Sequence, residues 1–225
     1  MSHMMTAKAA TEIAGSIGFP SKMPGTAYGL PAKACKVGSK LHLQASTVCA
    51  DCYALKGNYT FPSVAKAQEK RLSAIDNPRW PDAMVTMLRR SHGLDGHKPH
   101  TSVRDPGYHR WHDSGDTQSR AHIAAICEVA RRTPEIKHWI PSKELSMWLD
   151  YLATGGIIPP NLTVRISAYS LDAAPSSRWA LTSSVYTEAP RPGAHVCPAY
   201  RQDGMCGTCR ACWSQEVSEV AYPKH

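Results

Sequence analysis

Eight cysteines constrain this chain more than any other feature, because they are clustered. Cys35, Cys49 and Cys52 form C-x13-C-x2-C near the start, and Cys197, Cys206, Cys209 and Cys212 form C-x8-C-x2-C-x2-C near the end. Cys127 stands alone, with 74 residues between it and Cys52. Two-residue spacers let successive thiolates converge on one small object, and Gly204 and Gly207 allow the turns that a tight wrap needs. In a reducing compartment such groups are metal ligands or redox groups before they are disulfides. Clustered bare thiols there would be an oxidation liability.

The C-terminal quartet has the spacing of bacterial ferredoxin ligand loops, with Cys197-Pro198 as the remote ligand. A zinc site more usually pairs two separated C-x2-C knuckles. Spacing therefore favours an iron–sulfur cubane over zinc for Cys197, Cys206, Cys209 and Cys212. The N-terminal trio, Cys35, Cys49 and Cys52, supplies only three thiolates, which leaves one iron of a cubane open. Two other arrangements stay open. In one, the trio and one C-terminal cysteine share a single metal; in the other, Cys49/Cys52 and Cys209/Cys212 build a zinc ribbon. Cys127 lies in an apolar helical stretch, residues 121–130, and reads as a buried core thiol.

The chain has 225 residues, 42% of them hydrophobic and 20% charged, with a formal net charge of +8. That is globular composition, long enough to bury a core without staples. Two cubanes bound by three and four thiolates would lower the charge to about +5. The basic excess permits an anionic partner, but no Lys/Arg block with interleaved aromatics indicates nucleic acid. No apolar run is long enough for a membrane span, and no secretory signal pattern appears, so a cytoplasmic protein is expected. Residues 1–4 (Met-Ser-His-Met) read as a cloning remnant, and residues 1–14 as a flexible N-terminus. Residues 15–189 read as the core and 190–225 as a cluster-binding tail.

Helices are expected at 62–72, 81–90, 118–132 and 144–153, and strands at 108–113, 137–140 and 162–168. Strands separated by helices of this length imply right-handed crossovers and a parallel sheet. The length allows an open sheet or a partial (β/α) barrel rather than a full eight-unit barrel. In such a sheet, function gathers at the carboxyl ends of the strands. Gly115 would let backbone approach a ligand there, and Asp116 could accept from an amino group. Arg165 could take a carboxylate through two parallel hydrogen bonds, with Ser167 on the same strand face. Together these four could hold an amino-acid moiety. Helix capping is the alternative for Asp113 and Asp116, and a buried pair with an acidic partner for Arg165. Of the histidines at 92, 97, 100, 109 and 112, His112 is the best candidate for acid–base chemistry.

The chain resembles a phage protein family, gene product 88-like. The resemblance rests on Cys35-Lys36-Val37-Gly38-Ser39-Lys40, on Cys49-x-x-Cys52-Tyr53-Ala54-Leu55-Lys56-Gly57 and on Arg110-Trp111-His112-Asp113-Ser114-Gly115-Asp116. It continues in Arg165-Ile166-Ser167-Ala168 and Cys206-x-x-Cys209-Arg210-x-Cys212-Trp213. Members look like distant relatives of radical S-adenosylmethionine (SAM) proteins. That resemblance implies a cut-down parallel α/β barrel, one or two [4Fe-4S] clusters, and SAM held by Gly115, Asp116, Arg165 and Ser167. It also implies radical chemistry on an unknown substrate in the cytoplasm of an infected bacterium. The rival functions are a non-enzymatic electron-transfer or redox-responsive protein and a zinc-stapled binding module. An unknown host protein is a further candidate partner.

Overall fold

A computed structural model describes residues 5–224; the residues read as a cloning remnant lie outside them. Seven strands form one sheet: β1 Thr26–Tyr28, β2 Tyr108–Trp111, β3 Lys137–Ser142, β4 Leu162–Ser167, β5 Thr182–Tyr186, β6 His195–Val196 and β7 Glu219–Pro223. Their order is β1-β2-β3-β4-β5-β7-β6, and every neighbouring pair is parallel. The sheet is open, with β1 and β6 at its edges. Six helices accompany it: α1 Ala7–Ala14, α2 Lys36–His42, α3 Pro62–Ala74, α4 Trp80–Ser91, α5 Arg120–Arg132 and α6 Leu145–Ala153. The run β2-α5-β3-α6-β4 has the crossover order that the sequence implies.

Side-chain alternation divides the sheet into two faces. Ile140, Val164 and Ile166 pack into the large core with Trp80, Ile123, Ile126 and Trp148 of the helices. Each fully buried side chain of this kind contributes roughly 1.5–3 kcal/mol. The intervening positions Trp139, Thr163 and Arg165 meet the C-terminal segment instead, where Trp139 clusters with Ala211, Cys212, Trp213 and Val220. The helix α5 starts where Ser119 Oγ accepts from the His122 N–H at 3.0 Å. Ser119, rather than Asp113 or Asp116, therefore caps it. Cys127, on the apolar stripe of α5, is fully buried as expected.

Two stretches differ from expectation. Residues 7–14 are helical rather than flexible: Thr6 caps α1, and Ala10 and Ala14 are fully buried. Methyl side chains give little hydrophobic signal, yet they let α1 lie close against the core. The C-terminal stretch is not only a tail, because β7 lies between β5 and β6. Val220 and Ala221 are fully buried there. Among the described residues no helix is long and apolar enough to cross a membrane.

Candidate metal centres and cleft

The strands end at a cleft of about 590 Å³, whose walls include Cys35, Cys49, Cys52, Arg110, Trp139 and Lys143. The trio is held over it by backbone tethers. Cys35 precedes α2, and the Val37 N–H at the start of that helix donates to Glu144 Oε1 at 2.7 Å. Thr47 Oγ1 donates to Leu41 O at 2.7 Å and accepts from the Ala50 N–H at 3.1 Å, which shapes the turn carrying Cys49. The Val48 N–H donates to Tyr169 O at 2.8 Å, fixing this loop to the one after β4. Gly38 lies against the sulfurs: a Cβ there would stand 3.0 Å from Cys35 Cβ and 3.5 Å from Cys49 Sγ.

The three thiols share one electrostatic neighbourhood. Burial raises the Cys35 thiol, and Asp116, Cys49, Cys52 and Glu144 push it further the same way. Burial also raises Cys49, while the Lys143 ammonium opposes that shift. Lys143 itself is lowered by burial and held up by Cys49, Asp116, Cys52 and Cys35. A buried cation thus sits beside three groups that become anionic when they ligate a metal.

The quartet is built into the tail face of the sheet. The Cys197 N–H donates to Ala221 O at 2.9 Å and the Cys206 N–H to Lys22 O at 3.0 Å. Cys212 Sγ lies 3.1 Å from the Tyr222 hydroxyl, and Cys209 Sγ 3.4 Å from His195 Nε2. Burial pushes the Cys212 thiol up to about 12, with a further rise from Cys197. Burial raises Cys206 as well, and Cys197 and Cys209 add to it. Gly204 and Gly207 adopt the left-handed backbone expected of them, at φ 79° and 52°.

All eight cysteines are free thiols. Among the described residues no three His, Cys, Asp or Glu side chains close on a single-ion position. Thiolates are donors that zinc and iron–sulfur clusters both take.

The four residues expected to hold SAM separate. Gly115, Asp116 and Ser167 line the cleft. Gly115 has a packing reason as well: φ is 79°, and a Cβ would stand 2.7 Å from Leu30 Cβ. Asp116 is buried and accepts from Ser142 Oγ and from the Lys143 and Thr117 N–H groups, each at 2.7 Å. Burial nevertheless pushes its carboxyl up to about 6. Ser167 Oγ is 3.0 Å from Ser183 Oγ.

Arg165 is corrected. It is fully buried on the tail face, does not line the cleft, and donates to six carbonyls, those of Cys212, Thr182, Ser218, Ala211, Ser214 and Val217. Among the described residues it has no acidic partner, and its carbonyl bonds tie the quartet segment to β4. His112 lines the cleft, 2% exposed and with a left-handed backbone at φ 60°. Burial lowers its imidazole to about 3, which favours the neutral ring near pH 7.

The sequence reading missed Lys143, Arg110, Tyr53 and Glu144. For Arg110 a signal existed: alternation along β2 puts it opposite the buried Trp111, on the face that opens to the cleft.

A family model described as gene product 88 matches residues 3–215, so the chain belongs to that family. No curated protein and no solved structure matches it.

Proposed function

We propose that this gene product 88 family member is an iron–sulfur protein with a radical-SAM-like use of a parallel sheet. Cys35, Cys49 and Cys52 hold one [4Fe-4S] cluster at the cleft, and Cys197, Cys206, Cys209 and Cys212 hold a second on the tail face. One observation carries this reading: three thiols stand together at the carboxyl ends of the strands, beside Lys143 and against Gly38, where a Cβ would crowd them. Cys35, Cys49 and Cys52 would hold the trio's cluster, which would supply single-electron chemistry and, with SAM in the cleft, radical chemistry on a substrate there.

The chain's own groups have defined tasks. Lys143 offsets the charge of three thiolates. Glu144 fixes the start of α2 and therefore Cys35. Asp116 holds the backbone of Lys143, and Ser167 and Ser183 offer hydroxyls to an amino-acid moiety.

Anaerobically purified protein should be brown and carry about eight irons per chain for two cubanes, or about four for one. A colourless protein with stoichiometric zinc overturns the proposal and leaves the zinc-stapled module. Reduced protein mixed with SAM should release 5′-deoxyadenosine. Iron without that product, under several reductants, favours the second reading, an electron-transfer or redox-responsive protein. That reading draws on the quartet, which has four thiols and needs no further ligand.

A further inference from the structure

Arg110 is the unexplained cation of the cleft. Its guanidinium projects from β2 into the cleft and stacks on Trp139, 4.6 Å from the ring centroid. It makes no ion pair among the described residues. Nη1 meets only the Met23 thioether at 3.6 Å, and Nη2 donates to the Tyr53 hydroxyl at 3.2 Å. Nε is buried with no partner at all.

Two other arginines show what the Nε/Nη2 edge does when it is satisfied. Arg89 places Nε and Nη2 on the Asp95 carboxylate at 2.7 and 2.6 Å. Arg210 closes the same two donors on a single oxygen, Asp105 Oδ2, at 3.1 and 2.7 Å. In Arg110 that edge is closed off, with Nε buried and idle and Nη2 on the hydroxyl of Tyr53, a cleft-lining side chain that is 57% exposed. A guanidinium fork matches an oxyanion in just this two-point way, and leaving such a donor unpaired in a buried site is costly.

We propose that Arg110 anchors a carboxylate or phosphate group of a small molecule in the cleft through its Nε/Nη2 edge. Tyr53 fills the edge when the ligand is away and yields its place on binding. The Trp139 indole fixes the guanidinium plane and gives the ligand's body an apolar wall. The ligand is therefore an organic anion with a flat or apolar portion. This goes beyond the cluster reading and does not need it.

One rival claim on this cation is internal. Arg110 also acts on Cys206 and Cys212, so an anionic cluster on the quartet would feel it. The test separates the two. Anaerobically isolated protein, with its iron content measured in the same sample, is titrated calorimetrically with benzoate, phenyl phosphate, inorganic phosphate and SAM. At least one should bind at one per chain. Benzoate against phenyl phosphate identifies the oxyanion, and SAM shows whether the cosubstrate supplies it. Arg110→Lys keeps the charge but loses the fork, and should weaken binding about tenfold or more. In the wild-type protein, the Arg110 Nε–H resonance should shift on saturation, a readout that needs no variant to fold. Equal affinity in wild type and Arg110→Lys, or an unmoved Nε–H resonance, overturns the proposal, as does failure of all four probes to saturate. A variant that shifts only the cluster's absorption or potential also overturns it and leaves Arg110 as a counter-ion. Absence of iron overturns the cluster reading and leaves the oxyanion expectation standing.

Discussion

The two sulfur groups use the same side chain in opposite settings. The trio rides on a loop and a short helix above a cleft, tied down at a few separate points by hydrogen bonds from the Val37, Val48 and Leu171 N–H groups and the Tyr53 hydroxyl. The quartet segment is clasped to the sheet by Arg165 and its six carbonyls, by Thr163 and by the Trp139–Trp213 contact. Three thiols beside open space suit chemistry. Four thiols pinned across strands suit a staple. On the proposed reading, ligand count and tethering, rather than thiol chemistry, separate a reactive centre from a structural one.

The sharpest way to break this contrast is Arg165→Met. It strands six buried carbonyls and should cost about 3–5 kcal/mol in urea unfolding. An unfolding curve like the wild type's would mean that the tail is not clasped. Next comes pH. Burial lowers His92 to about 4 and His138 to about 3, well under the usual histidine value. Stability from these groups is whole above about pH 6.5 and is lost as pH falls through the lowered values, about 3 kcal/mol for His92 alone. His138 is part of β3, and His92 is hydrogen-bonded to Thr26 of β1 and to the Gly107 N–H just before β2. One sheet serves both regions, so trio and quartet should fail in one transition on an acid titration. Two separated transitions would sharpen the contrast beyond what the shared sheet allows.

A matched pair of half-buried cysteines gives a smaller effect. Cys206→Ser should lower the thermal midpoint, by the equivalent of roughly 1–2 kcal/mol, whereas Cys52→Ser should leave it nearly unchanged. Each variant should retain the iron of the other site; the reverse ranking would invert the assignment of staple and reactive centre. Gly38→Ala should move stability least, by under about 1 kcal/mol, since alanine favours a helix interior. It should nonetheless impair metal uptake by the trio alone, seen as lost absorbance with an unaltered melt.

Much of this was written in periodicity and spacing. The α5 stripe of Ile123, Ile126 and Val129 marked a helix, and the β-branched run 162–168 marked β4. The strand β1 was illegible because three residues cannot show an alternation. Thr182-Ser183-Ser184 hides β5 because its polar side chains are satisfied inside, Ser184 by Glu219 and Thr182 by the Ser218 carbonyl. The trio and quartet were legible as groups. The fate of Arg165 was not, because the carbonyls that claim it belong mostly to a segment some fifty residues away. Arg110 escaped for the opposite reason: its significance lies in a partner it does not have.

The interior position of β7 has a consequence for biosynthesis. While the protein is being made, β5 presents a bare parallel edge until residues 219–223 have left the ribosome, and β6 has nothing to pair with. A stop codon placed after β5 would therefore yield a chain with all six of these α-helices and an adhesive border, prone to aggregate rather than merely shortened. A strand made after both of its partners decides whether they are protected.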